Sequence, residues 1–391
     1  MTNQKIFRTI LVLPLIFFFI ASNVSVGEFP GSNRNNVDGY AANQGTHYAL
    51  LVGVNEYDNE GNEKRAKDTK RPFFNLKNLR YCCNDMTVLK ETLIDTKFTT
   101  SENIVLLTSN ADQSDQKSTI TNINRELKYL FGRAKSGDTI FIAFAGHGLV
   151  LPDYKGDEKS ELYLCPMDAE IICDSQTGKF DCRQLLSRKD IEVSLKECQA
   201  SVKIFAMDAC RNRDVQTRSI AQSDLMTKAA QNEISKIKEF TPIPVEGLFQ
   251  LFSCDEGQTA AESEEKKHGI YSYFLIEGLK GAANSNGDGH ITLSELQRYV
   301  KYNTANHAKG VLSHDQTPKI IAIGDSTGEE VILAACTPKA ATPEPQLTTN
   351  NNQSPYSSLT GTSNNNNNNN TQSRSSNVNR GGGNSGNRNT R

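Results

Sequence analysis

Four short runs in this chain are apolar at almost every position and then stop abruptly, which leaves little choice of architecture. They are HYALLVGVNEY (47–57), NIVLLTS (103–109), DTIFIAFAGHG (138–148) and SVKIFAMDACRN (201–212). A strand with one face in water alternates apolar and polar residues, whereas an unbroken run fits a strand buried on both faces of a parallel sheet. Stretches with apolar residues at helical spacing lie between them, at 79–95, about 118–134 and 187–200. A further strand (247–258) and helix (about 269–281) follow. The alternation predicts an α/β fold: a mostly parallel sheet flanked by helices on both faces, an α/β/α sandwich spanning residues 46–336.

The flanks have a different texture. Lys5 and Arg8 precede an apolar run from Ile10 to Ala21 and then small residues up to Gly27, the form of a secretory signal peptide (1–27). That run contains Pro14 and falls short of the roughly 18 apolar residues of a spanning helix. The expected mature chain is therefore exported, to the cell exterior or an envelope space, with no transmembrane span; an uncleaved signal anchor is the alternative. Residues 28–45 read as a flexible leader and 211–244 as a charged linker dividing the domain into a larger part (46–210) and a smaller one (245–336). The Asn-, Ser-, Thr- and Gly-rich stretch 337–391 reads as a disordered tail. With 43 Lys+Arg against 45 Asp+Glu, the net charge of −2 argues against a nucleic-acid partner. Nine cysteines make an odd number for an oxidising compartment; Cys173 and Cys182 could bridge, though spacing alone does not establish a pairing.

Parallel α/β sheets carry their chemistry beyond the carboxyl ends of the strands. One run ends in Ala145-Gly146-His147-Gly148 and another in Asp208-Ala209-Cys210. If these two strands are neighbours, an imidazole and a thiol emerge side by side. The imidazole can take the thiol proton and return it to a leaving amine, while the backbone N–H groups of Gly148 and Cys210 stabilise the oxyanion. Each residue alone is more commonly structural; both at strand ends point to a Cys–His acyl-transfer dyad.

These residues resemble the His and Cys motifs of the caspase-like cysteine peptidases of family C14, in particular the metacaspase and bacterial caspase-homologue branch. Further matches follow in family order: ALLVGVNEY (49–57), LRYCCND (79–85), ELYLCPMDA (161–169), FSCDEGQTAAES (252–263) and HGIYSYFLIEGL (268–279). The resemblance implies a caspase-hemoglobinase fold, with Cys210 as nucleophile and His147 as general base and acid, and requires no cofactor. It also implies that Asp85 and Asp208 line the primary specificity pocket. Two carboxylates there favour a peptide or protein substrate with Arg or Lys before the scissile bond and repel Asp. Asp85 keeps a structural alternative, as a local cap on its helix. Ala145 departs from the family's usual Ser, which removes a hydrogen-bonding group from the pocket. An enzyme with this preference could cut its own linker at Arg211, Arg213, Arg218, Lys228, Lys236 or Lys238.

Calcium enters twice. NSNGDGHITLSE (284–295) fits the EF-hand loop at most positions, with Asn284, Asn286, Asp288 and Glu295 as candidate ligands, although Asn stands where the first Asp is usual. Asp153, Asp157, Glu158 and Glu161 stand where metacaspases carry an acidic activating loop. Two other functions compete with the peptidase: a caspase-fold interaction protein with a silent dyad, and a calcium-responsive binding module.

Overall fold

Within the first apolar run, successive residues serve two different cores. Tyr48, Leu50 and Val52 pack on one face of the sheet and Ala49 and Leu51 on the other, so no position is left for a polar side chain. The computed structural model describes residues 45–69, 75–152, 160–173, 180–209, 245, 247–322 and 331–337. The expected signal peptide, the leader apart from Gly45, Cys210, the linker and the tail beyond Thr337 lie outside the described residues. Those described all belong to one unit, within Met1–Pro343.

The main sheet has six strands: β1 (His47–Gly53), β2 (Ile104–Thr108), β3 (Thr139–Ala145), β9 (Val202–Asp208), β10 (Leu248–Phe252) and β14 (Lys319–Ala322). Their spatial order is β14-β10-β9-β3-β1-β2, and every pairing is parallel except that of β10 with β14. On one face, α3 (Ile120–Arg133) and α4 (Arg188–Glu197) bring Ile123, Leu127, Ile191 and Leu195 against Phe144, Phe205 and Phe252. On the other, α2 (Cys82–Asp95), α5 (Ile270–Glu277) and α6 (Leu293–Leu312) bring Met86, Leu89, Leu275 and Leu296 against Phe141 and Phe249. Each such side chain, buried completely, stabilises the fold by about 1.5–3 kcal/mol. The expected layered α/β fold is therefore present.

The strands are shorter than the runs that announced them. The 138–148 run ends as β3 at Ala145 and the 247–258 run as β10 at Phe252, because the residues beyond turn away from the sheet. Between β3 and β9 the chain also makes small antiparallel ladders that periodicity did not reveal. β4 (Gly148–Pro152), β5 (Ser160–Leu164) and β8 (Leu186–Ser187) form one, and β6 (Glu170–Cys173) with β7 (Phe180–Arg183) another. Strands of two to five residues are too short to establish a period of two. In the β6–β7 ladder Cys182 lies opposite Ile171 and Cys173 opposite Phe180. Among the described residues, no helix is long and apolar enough to cross a membrane.

One acidic residue has a different place from the one expected of it. Glu161, grouped above with an activating loop, is buried on β5. Its Oε1 accepts the Lys189 N–H (2.9 Å), and its Oε2 lies 3.4 Å from the Arg188 guanidinium, which also pairs with Glu192 one turn along α4. Its charge is spent inside the protein, where a buried guanidinium needs it. Asp153, Asp157 and Glu158 lie outside the described residues.

Candidate functional site

β3 and β9 are neighbours, and their last residues, Ala145 and Asp208, stand opposite each other. The Gly146 N–H donates to the Asp208 carbonyl across this end (3.2 Å). His147 is two residues past Ala145; Cys210 is two residues past Asp208 and outside the described residues. The carbonyl of Ala209, just before it, accepts from the Ser253 hydroxyl (3.3 Å). Gly148 opens β4 opposite Leu164. Ala145 is buried at the end of β3.

His147 is 3 % exposed and held by three contacts. Its ring stacks on Tyr57 (centroids 5.1 Å, 26°), its backbone N–H donates to the Tyr57 hydroxyl (2.8 Å), and its Nε2 lies 2.7 Å from the Lys77 carbonyl. The preceding residue must be glycine: a Cβ at Gly146 would sit 2.9 Å from the Phe144 ring and 3.2 Å from the Tyr57 oxygen. A carbonyl can only accept, so Nε2 carries the hydrogen. Burial pushes the imidazole down to about 4, against the opposing effect of the Lys77 bond, so the ring is neutral at pH 7. A neutral imidazole with its hydrogen on Nε2 has a bare lone pair on Nδ1, the atom a base requires.

Beside it is a cleft of about 280 Å³ lined by His147, Asp208, Asp85, Cys82, Glu262 and Gly269, among others. Asp85 stands in the first turn of α2 and is 1 % exposed. Its carboxylate reaches across to a different element: Oδ1 lies 2.5 Å from His268 Nδ1 and Oδ2 accepts the Gly269 N–H (3.0 Å). Asp208 accepts from the Ser272 hydroxyl (2.6 Å). The two carboxylates converge so closely that a Cβ on Gly269 would lie 2.8 Å from Asp208 Oδ2 and 3.1 Å from Asp85 Oδ2. His268 and Gly269 form β12, paired with β11 (Glu262–Ser263). Burial raises the Asp85 carboxyl, opposed by its bonds to His268 and Gly269. Burial, and then the charge of Asp85, push Asp208 up to about 7. Such a pair attracts either a proton or a cation.

The acidic turn at 284–295 is arranged otherwise. Glu295 Oε1 accepts from the backbone N–H and hydroxyl of Ser285, and Oε2 from those of Thr292, closing a capping box at the start of α6. Asn284 Oδ1 accepts the Gly287 N–H, Asn286 donates to Asp288, and Asp288 accepts the His290 N–H. The turn then enters β13 (His290–Thr292), which pairs with β15 (Ile332–Ala335). Among the described residues, no group of three or more His, Cys, Asp or Glu side chains could hold a metal ion.

Several of these partners have a role that only the fold assigns. Tyr57, Glu262, His268 and Ser272 all fall inside the matched motifs, so a signal for them existed. The Lys77 carbonyl had none, since a backbone oxygen leaves no trace in residue type.

The comparisons by sequence agree on the family. A family model described as the caspase domain of the C14 peptidases matches residues 46–323. Metacaspase-1A of Aspergillus oryzae is 32 % identical over 135 residues, 34 % of this chain and 28 % of that protein. Metacaspase-6 of Arabidopsis thaliana is 26 % identical over 234 residues, 58 % of this chain and 57 % of its own length. The match thus spans less than two thirds of either relative. Among solved structures, caspase-1 from Spodoptera frugiperda aligns at TM-score 0.44 and 14 % identity, over 81 % of this chain and 100 % of that one. With its model matched across both strands of the site and the cleft beside them, the chain belongs to the caspase-domain family.

Proposed function

We propose that this chain is a cysteine endopeptidase that hydrolyses peptide bonds after Arg or Lys, with Cys210 as nucleophile and His147 as the base. The observation that carries the reading is the setting of His147: buried, its Nε2 2.7 Å from the Lys77 carbonyl, which leaves Nδ1 to accept a proton, at the end of the strand adjoining the one that leads to Cys210. In this mechanism Nδ1 takes the thiol proton as sulfur attacks the peptide carbonyl. The oxyanion is met by the Gly148 and Cys210 N–H groups, and the proton passes to the leaving amine as the thioester forms. Water then hydrolyses the thioester through the same groups. No cofactor takes part.

Asp85 and Asp208 supply the preference. An incoming guanidinium or ammonium replaces the proton that the pair otherwise holds, and an Asp side chain meets two carboxylates in a desolvated cleft. Self-cleavage at the basic residues of 211–244 and export directed by residues 1–27 belong to the same reading. The 284–295 turn serves as the cap of α6 rather than as a calcium site, since its oxygen atoms are used within the turn. Purified chain incubated alone should yield two fragments that Cys210→Ala does not. Equal fragmentation of both would remove self-processing from the account, and no turnover of an Arg peptide by the wild type would remove the peptidase.

A further inference from the structure

Both pocket carboxylates accept hydrogen bonds from one short stretch, residues 268–272, where β12 runs into α5, and Asp208 accepts one from Ser253 as well. The Gly269 N–H and the Ser272 hydroxyl are neutral donors at any working pH. His268 is different, because an imidazole can stand with or without a positive charge. Its Nδ1 lies 2.5 Å from Asp85 Oδ1, and its side chain is 15 % exposed.

The charges around it come from every element packed there. α2 contributes Asp85 and the amide of Asn84, 3.5 Å from Nδ1; β11 contributes Glu262. Asp208 comes from β9, beyond Gly269. Its own turn and α5 contribute Lys266, Lys267 and the Tyr273 ring, 5.9 Å away, over which the Lys266 ammonium sits. A carboxylate has about four lone-pair sites. Asp85 gives one to His268 and one to Gly269, which leaves room for a further donor.

We propose that His268 is a specificity-determining residue of this pocket: protonated, it is a resident cation that competes with the substrate's Arg or Lys for Asp85. Neutral, it donates Nδ1–H, holds Asp85 in place and leaves the carboxylate charge for the substrate. The cleft's preference for a charged over an uncharged side chain then weakens as His268 takes up its proton. By linkage, a bound cation must make that proton harder to take up. This rests on the basic-residue reading above.

The test compares an Arg peptide with its citrulline counterpart, which keeps the shape and lacks the charge, on the full chain and on His268→Asn. The asparagine retains a side-chain N–H for Asp85 and does not ionise. The ratio of the two peptides cancels His147 and Cys210, which serve both alike. Asp208 contributes its own pH dependence to both proteins, so the difference between them isolates His268. From pH 8 down to about 5.5 the wild-type ratio should fall at least about threefold further than that of His268→Asn, with the change in KM. Equal falls overturn the role of His268 alone. A wild type with no Arg preference at either pH overturns the basic-residue reading too. Should the variant misfold, the unaltered chain still answers. Saturating agmatine, a bare guanidinium ligand, should lower the NMR titration midpoint of the His268 ring by about half a unit or more, a roughly threefold coupling. An unmoved midpoint overturns the proposal.

Discussion

The cleft beside His147 and the turn at 284–295 each gather carboxylates, and they treat them in opposite ways. In the turn, both oxygens of Glu295 are filled by the N–H and O–H groups of Ser285 and Thr292. In the cleft, Asp208 and Asp85 lie within about 3 Å of one point and are desolvated, and Asp208 is pushed up to about 7. The spacing of acidic residues therefore says little about what they bind. Their surroundings decide it: Glu295 has donors on both oxygens, whereas in the cleft burial and a neighbouring carboxylate raise the demand of Asp208 for a proton or a cation.

The largest effect that sharpens this contrast is expected from Asp208→Asn. Losing a charge-assisted contact worth about 3 kcal/mol should lower kcat/KM for an Arg peptide by about a hundredfold. The same change should leave a citrulline peptide within a fewfold. Equal losses on both peptides would mean that Asp208 props the site rather than reads charge. Next comes Gly269→Ala, whose added methyl must displace both carboxylates. A loss of about tenfold on the Arg peptide is expected, with binding of agmatine weakened in parallel. If agmatine binds as before, the two carboxylates do not share that point in solution.

A pH profile gives a graded effect. Asp208 must release its proton to accept a cation, so kcat/KM for the Arg peptide should rise as pH rises toward about 7, then level. The citrulline profile should lack that limb. Stability runs the other way. The folded carboxyl titrates above its ordinary 3.8, so the folded state binds the proton more tightly. That contribution is complete below the unfolded value and is lost as pH rises through about 7. Asp208→Asn should accordingly melt higher than the wild type at pH 8 and not at pH 4. The smallest effect belongs to the turn: Glu295→Ala should cost about 1 kcal/mol through the lost cap, with the Arg preference unchanged. Calcium should not shift the melting temperature of the wild type; a saturable rise would place the turn among the ion sites after all.

Much of the architecture could be read from the residues because a doubly buried strand has no alternative pattern: β1, β3 and β9 lie inside the runs that announce them. Their ends were harder. Ala145 and Phe252 close strands inside runs that continue for several residues, because turning depends on what the next residues meet rather than on their polarity. The antiparallel partner β14 carries partly exposed isoleucines and offered no unbroken run. At the site, His147, Asp208 and Asp85 stood in recognisable motifs. What orients them did not: Lys77 acts through its backbone oxygen, and His268 and Ser272 come from a helix start distant in the chain. Glu161 shows the converse, an acidic residue in a suggestive place whose partner, Arg188, only the fold supplies.

The most direct test of the whole account is initial-rate hydrolysis of three fluorogenic peptides differing only in Arg, citrulline or Asp before the scissile bond, by the wild type and by Cys210→Ala. The account predicts turnover with Arg far ahead of citrulline, none with Asp, and loss of all of it in the variant. Equal rates on Arg and Asp, or undiminished cleavage by Cys210→Ala, would contradict it.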